Sequence, residues 1–288
     1  MPGPKKKAKK KLSVYNDIIR SKFFANKYKD LFDKVERYCM FLGYPRSSHS
    51  LIGSILDAHP HMLIAHEQDV LKYPKYNMSK NEIFWLLMKN SERFTKKGRN
   101  WSGYSYRVEG QYQGSYRELQ VIGDKRGGNS TRRIKRKPEV LKQLKEIIDI
   151  PFRIIHVYRN PFDNISTIAY RHCHKNASLV TKDLLKSKTD EYFGMADGVL
   201  KAKEDSHEKE WMDLKVEDFI EKTEEKLREL CEFLGVEKDE KYIEGASSIV
   251  YENPRKSRYE VEWDEESKTY VLEYMKGYDH LKEYGFDK

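Results

Sequence analysis

The sequence predicts an α/β fold, a central and mostly parallel sheet flanked by helices, and three observations predict it. Short apolar runs alternate with amphipathic helical segments along almost the whole chain, no internal repeat breaks the alternation, and two of the runs pass through a tight Pro-containing turn directly into a helix. Alternation of this kind is the pattern of parallel strands joined by right-handed helical crossovers. In such sheets ligands sit outside the carboxyl ends of the strands, so both turns should open into one crevice.

Taken in order, residues 15–33 carry apolar side chains at helical spacing: Ile18, Ile19, Phe23, Phe24, Leu31 and Phe32. The run 38–42, bounded by Gly43 and Pro45, reads as a buried strand ending in a turn. Helical periodicity resumes over 48–58, residues 62–65 form a second short strand, and 79–91 a helix. From Trp101 to Gly123 aromatic and polar residues alternate, which predicts a hairpin or ribbon turning at Gly110 or Gly114. Pro138 opens a helix to about Ile148, and the run 152–158 is the strongest strand in the chain. A turn at 159–161 leads into a helix over 162–173, and a further helix covers 181–205. A strand follows over 211–216, then a helix over 217–234 closed by Gly235, and a last long helix from about 264 to 284.

The chain has 288 residues, enough for one large domain with a sizeable core. Aromatic residues make up 12%, including 20 tyrosines, which excludes disorder for the bulk of it. No stretch approaches the roughly 20 apolar residues that span a bilayer, and no signal segment opens the chain, so a cytoplasmic location is expected. Three scattered cysteines make neither a disulfide framework nor a zinc site, and no metal is expected. Of the formal charge of +9, six lysines fall within residues 1–12, where there is no acid. That segment is expected to be a solvated, disordered tail, with residues 13–288 as a single α/β domain and nucleic acid an unlikely partner. A second basic cluster, from Lys125 to Lys137, lies inside the fold and faces either an anion or solvent.

The first strand–turn–helix junction reads Gly43-Tyr-Pro-Arg46-Ser47-Ser48-His49-Ser50. A helix N-terminus offers unpaired N–H groups and the positive end of a dipole; hydroxyls add donors and an arginine adds a planar cationic fork. An N-cap needs one hydroxyl. Three serines, a histidine and an arginine packed together point instead to phosphate or sulfate. The Gly-Lys-Ser/Thr ending of nucleoside-triphosphate loops is absent, and no recognisable motif supplies a magnesium-holding acid, which disfavours a kinase.

The run PRSSHSLIGSILDAHP followed by HE resembles the 5′-phosphosulfate loop of sulfotransferases that use 3′-phosphoadenosine-5′-phosphosulfate (PAPS), and most of all the tyrosylprotein branch, whose segment reads Pro-Arg-Ser-Gly-Thr-Thr. The resemblance implies a P-loop-like sulfotransferase fold, PAPS as donor and 3′-phosphoadenosine-5′-phosphate (PAP) as product. It makes Arg46, Ser47, Ser48, His49 and Ser50 the sulfate-side loop, and Glu67, 21 residues after Arg46, the catalytic base. VYRNPFDNIST is similar to the 3′-phosphate motif, with Arg159 as its arginine and Thr167 at the eight-residue offset, next to Ser166. The segment 122–125 resembles the loop whose lysine, here Lys125, contacts the transferring sulfonate. Residues 213–218 with the helix ending at Gly235 resemble a conserved strand and helix of the family. NPRKSRYEVEW (253–263) resembles the basic loop closing over the cofactor and adds Arg255, Lys256, Ser257 and Arg258. Three positions depart from the pattern: Thr167 stands where serine is usual, His49 where threonine is common, and Leu51 where many members stack adenine on tryptophan.

In-line sulfonate transfer needs a base for the acceptor hydroxyl and cations around the SO₃ group. Glu67 would be the base, and Lys125 and Arg46 would hold the oxygens. His59 is expected to be structural, and His172 and His174, two apart on a helix, share no face that could hold a metal. The acceptor is open among small alcohols, phenols, sterols and glycans, with the aromatic segment 101–117 either lining its pocket or forming a plain hairpin. The competing reading is a non-catalytic nucleotide- or polyanion-binding module, which would need only Arg46, Arg159 and the basic tail.

Overall fold

The computed structural model describes residues 4–287. Five strands form one parallel sheet in the order β2-β5-β1-β6-β7, where β1 is Arg37–Gly43, β2 Met62–His66, β5 Val121–Lys125, β6 Phe152–Tyr158 and β7 Trp211–Lys215. A separate antiparallel pair, β3 (Asn100–Trp101) and β4 (Tyr104–Ser105), lies outside it. Both faces of the sheet are covered, which is why its inner strands read as unbroken apolar runs rather than alternating ones. Side chains still point alternately. Tyr38, Met40 and Leu42 of β1 enter one core with Phe152 and Ile154, while Cys39 and Phe41 enter the other with Ile155 and Val157.

The first face carries α1 (Pro4–Phe24), the short α2 (Lys29–Phe32), α4 (Lys80–Lys96) and α6 (Glu139–Ile148). The opposite face carries α3 (His49–Leu56), α9 (Val216–Glu221), α10 (Thr223–Leu234) and α11 (Glu240–Ser247). A third apolar cluster joins α7 (Pro161–His172), α8 (Lys182–Glu204) and α12 (Glu265–Met275) around the buried Tyr44, Tyr192 and Phe193. The helix α5 (Gly127–Arg136) runs directly on from β5.

Several elements differ from the sequence expectation. The helix over 15–33 begins at Pro4, so residues 4–12, expected as a disordered tail, continue α1. Lysine and alanine are good helix formers, and nothing from residue 5 to 22 breaks the turn pattern. The segment 101–123 is not one ribbon. Its turn is at Ser102 and Gly103, both left-handed, rather than at Gly110 or Gly114. Beyond it, side chains replace a ladder: Gln113 accepts from the Val108 amide at 3.0 Å and donates to the Tyr106 and Ser54 carbonyls at 2.8 and 2.9 Å. The end of the same segment is β5, a strand of the central sheet. Its Asp and Lys disguise it, and its Gly123 lets β1 approach so closely that a Cβ there would lie 2.3 Å from the Cys39 carbonyl oxygen.

The expected 217–234 helix is broken at Lys222 into α9 and α10, with Gly235 closing the latter in the left-handed region (φ 68°). The last helix stops at Met275, and a short turn of 3₁₀ helix follows at Asp279–Leu281. The helices α5 and α11 had no counterpart in the sequence reading.

Candidate active site

The carboxyl ends of β1, β2, β5, β6 and β7 open into one cleft of about 720 Å³, as the two strand–turn–helix junctions require. Its wall holds eight cations, Arg46, Lys125, Arg126, Arg132, Arg159, Arg171, Lys175 and Arg255, against three carboxylates, Glu67, Glu217 and Glu260. Such an excess inside a concavity selects for a multiply charged anion.

After β1 the chain turns through two left-handed residues, Arg46 (φ 71°) and Ser48 (φ 53°), before entering α3. Ser48 holds the N-cap position but makes no side-chain cap. The amides of Leu51 and Ile52 bond its carbonyl, so those of His49 and Ser50 lie in the first turn, where a helix has no internal acceptors. Ser47 is buried and accepts a hydrogen bond from the Asn164 amide at 2.7 Å, which ties the loop to α7. The His49 ring is engaged by the fold itself. The ring is buried, its Nε2 donates to the Leu42 carbonyl at 3.1 Å, and it packs where a Cβ on Gly127 would meet it at 2.2 Å. It therefore braces the loop against α5.

Burial pushes the His49 imidazole down to about 3, and His59, whose Nε2 donates to the Glu237 carbonyl at 3.0 Å, down to about 4. Both are neutral in the fold and titrate near 6.5 when unfolded, so the unfolded chain binds the extra protons as pH falls. Stability that is fully present above about pH 6.5 is therefore lost as pH falls toward 4. The expected loss between pH 7 and pH 5 is about 2 kcal/mol for each of the two, seen as a lower midpoint in denaturant unfolding at pH 5. An unchanged midpoint would mean that the rings are protonated in the fold.

Glu67 follows β2 in the left-handed region (φ 60°), which turns its side chain into the cleft. One carboxylate oxygen lies 3.2 Å from Lys125 Nζ and the other 3.5 Å from Arg126 Nη1. Lys125, the last residue of β5, also donates to Ser50 Oγ at 3.0 Å and so links the first loop to Glu67. It is 2% exposed, and burial holds its ammonium below the ordinary lysine range. Its neighbour Asp124 faces away from the cleft and accepts the Gln68 and Val70 amides at 2.9 and 3.1 Å, fixing the turn that carries Glu67.

At the other end, Arg159 leaves β6 and donates to the carbonyls of Arg46 at 3.3 Å and Arg255 at 2.9 Å, with Ser257 Oγ 3.5 Å away. One guanidinium thus spans the first loop and the C-terminal loop. Ser166 accepts from Trp263 Nε1 at 2.9 Å, and the Thr167 hydroxyl donates back to the Asp163 carbonyl at 2.8 Å; both line the cleft. Arg255 is at the rim, forked onto Glu260 at 2.7 Å through both contacts. Two expected residues are not in the lining. Lys256 is exposed outside it, and Arg258 is buried behind Arg159, its amide on Asp163 Oδ1 at 2.8 Å.

The sequence reading missed the second helix start. Gly127, Gly128 and Asn129 of α5 face the cleft beside Arg126. The glycine pair after a strand was the available signal, obscured by the lysine and arginine run around it. Arg171 and Lys175, at and beyond the last turn of α7, belong to a segment expected at the substrate lip or in solvent, and both line the cleft. Of the aromatic segment, Trp101, Tyr104 and Tyr106 do line the cleft, joined by Tyr170 and Tyr251. Among the described residues no cluster of His, Cys, Asp or Glu could hold a metal ion, and no helix is long and apolar enough to cross a membrane.

Comparison with known proteins agrees with this architecture. The sequence model described as "Sulfotransferase family" matches residues 40–240. The sulfotransferase domain from the curacin biosynthetic pathway superposes with a TM-score of 0.52 at 11% identity, covering 84% of this chain and 96% of that one. Sulfotransferase STF9 from Mycobacterium avium gives 0.51 at 12% identity, covering 92% and 83%. No curated protein sequence matches.

Proposed function

The chain belongs to the sulfotransferase family, and from that premise we propose that it transfers a sulfonate group from PAPS to an acceptor hydroxyl with Glu67 as general base. The observation that carries the reading is the Glu67–Lys125–Ser50 chain, which joins a carboxylate to the anion-binding loop across the cleft.

The residues fit a nucleotide charged at both ends. Arg46, Ser48, Ser50 and the first amides of α3 would hold the sulfate side, with the α5 start and Arg126 opposite. Arg159, Ser166, Thr167, Ser257 and Arg255 would hold the 3′-phosphate. Leu51, Val216 and Ile220 offer an apolar wall for adenine in place of a stacked tryptophan. When bound, PAPS supplies an activated sulfonate and leaves as PAP. Glu67 accepts the proton of the acceptor hydroxyl as its oxygen becomes the nucleophile. Lys125, held short of full solvation, and Arg46 neutralise negative charge that grows on the oxygens around sulfur; such fixed cations in a water-poor site act strongly on developing charge. Glu67 is one-third exposed and shares the cleft wall with Trp101 and Tyr104, so an acceptor hydroxyl can reach it within the cleft.

Calorimetric titration with PAP, against AMP and ATP as controls, tests the cofactor. PAP should bind with an affinity that depends on its 3′-phosphate. In the Arg159→Ala protein, PAP affinity is expected to fall about 10- to 100-fold, the range of a hydrogen bond to a charged group, while AMP affinity barely changes. Equal losses for both nucleotides would remove Arg159 from the 3′-phosphate, and a preference for ATP with magnesium would overturn the reading.

A further inference from the structure

From Val14 onward, the helix α1 packs one side against the domain. Ile18 and Ser21 are buried against the domain, and Phe24 stacks on Trp85 at 5.9 Å. On the far side Ile19 and Phe23 lie four residues apart and share a face, with Tyr15, whose ring packs edge-on against Tyr76 at 6.0 Å, at its edge. Tyr15, Ile19 and Phe23 are 43%, 53% and 74% exposed, and with Phe24 they make up four of the eleven large apolar side chains left in solvent among the described residues. Scattered exposed apolar residues are ordinary; a row of them along one helix marks a docking surface.

The charge around this row has one sign. Arg20, Lys22 and Lys27 are exposed on or just after the same helix, and its one acid from residue 14 onward, Asp17, is paired with Arg93 at 3.6 Å. Upstream, the backbone of α1 continues without a break through a stretch holding six lysines and no acid. An apolar face flanked by Lys and Arg on a single helix has the composition of helices that lie in a membrane interface. Basic side chains near an anionic lipid surface each favour the bound state by about fivefold, which favours negatively charged membranes.

We infer that α1 is a peripheral membrane-docking helix, inserting Tyr15, Ile19 and Phe23 at the surface of an anionic bilayer while its lysines engage the headgroups. The inference is independent of the sulfotransferase chemistry and would hold for any cleft function. It is tested with the full-length protein by co-sedimentation with phosphatidylcholine vesicles, with and without phosphatidylserine. The protein should sediment only with the phosphatidylserine vesicles and be released by raised salt. The Ile19→Ser/Phe23→Ser protein should bind about tenfold or more weakly, as loss of buried apolar area requires. The charge variant Lys9→Glu/Lys10→Glu/Lys11→Glu should lose binding with its thermal midpoint unchanged. No binding to anionic vesicles overturns the proposal, as does full binding by the serine variant. Light scattering that shows a wild-type dimer, made monomeric by Ile19→Ser/Phe23→Ser, would assign the face to a second copy instead.

Discussion

Glu67→Gln protein is expected to turn over about 10²- to 10⁴-fold more slowly than wild type, the range that a positioned general base contributes, with PAP affinity held within a few-fold. The substitution keeps the size, the left-handed backbone and a hydrogen-bond acceptor for Lys125, and removes the proton-accepting charge alone. It also leaves Lys125 and Arg126 without their shared counter-ion, so nucleotide binding should strengthen slightly rather than weaken. The measurement is single-turnover transfer to a phenolic acceptor beside calorimetric PAP binding. Near-normal turnover would reassign the base, while a loss of both activities together would mean that Glu67 shapes the anion site instead of the proton transfer.

The second large effect concerns stability. Asp57 is fully buried and accepts four hydrogen bonds, from the Ile64 amide and Ser91 hydroxyl at 2.6 Å, Arg99 Nη1 at 2.7 Å and the Gly114 amide at 3.1 Å. Arg99 is itself 2% exposed, so this ion pair fastens the end of α3 to β2, α4 and the loop carrying the aromatic lining. Removing one partner of a buried pair leaves an uncompensated charge, and Arg99→Leu is expected to cost about 3–5 kcal/mol. The thermal midpoint should fall by roughly 5–8 °C at neutral pH for a chain of this size.

The sign of the pH dependence follows from the carboxylate. Burial already raises Asp57, and Arg99 opposes that shift. Without the arginine its folded-state value rises further above the unfolded one, so the variant's stability is kept at low pH and lost as pH increases. The deficit against wild type should therefore shrink between pH 7 and pH 5. A deficit that is constant with pH would mean that Asp57 is neutral in the wild-type fold as well.

How much of this was legible beforehand differs from element to element. The run 152–158 was read with its true bounds because it is apolar, buried on both faces and followed by Pro161 at a helix start. The strand β5 was not, because a buried Asp and Lys imitate a loop; what makes them strand residues is the amide pair and the Glu67–Ser50 pair that receive them. The helix α5 was hidden for a related reason. Its Arg132 and Arg133 look solvated in sequence, yet they meet Glu191 at 2.6 Å and Asp69 at 2.8 Å, partners about 60 residues away.

The sequence by itself determined the parallel α/β architecture and the two strand–turn–helix junctions that open into one cleft, because periodicity and turn chemistry are local. Only the tertiary structure decided that the His49 ring serves packing, that Arg258 backs Arg159 from outside the cleft, and that Lys125 bridges Ser50 and Glu67. Those roles depend on which atoms meet across the sheet, and no spacing along the chain sets that.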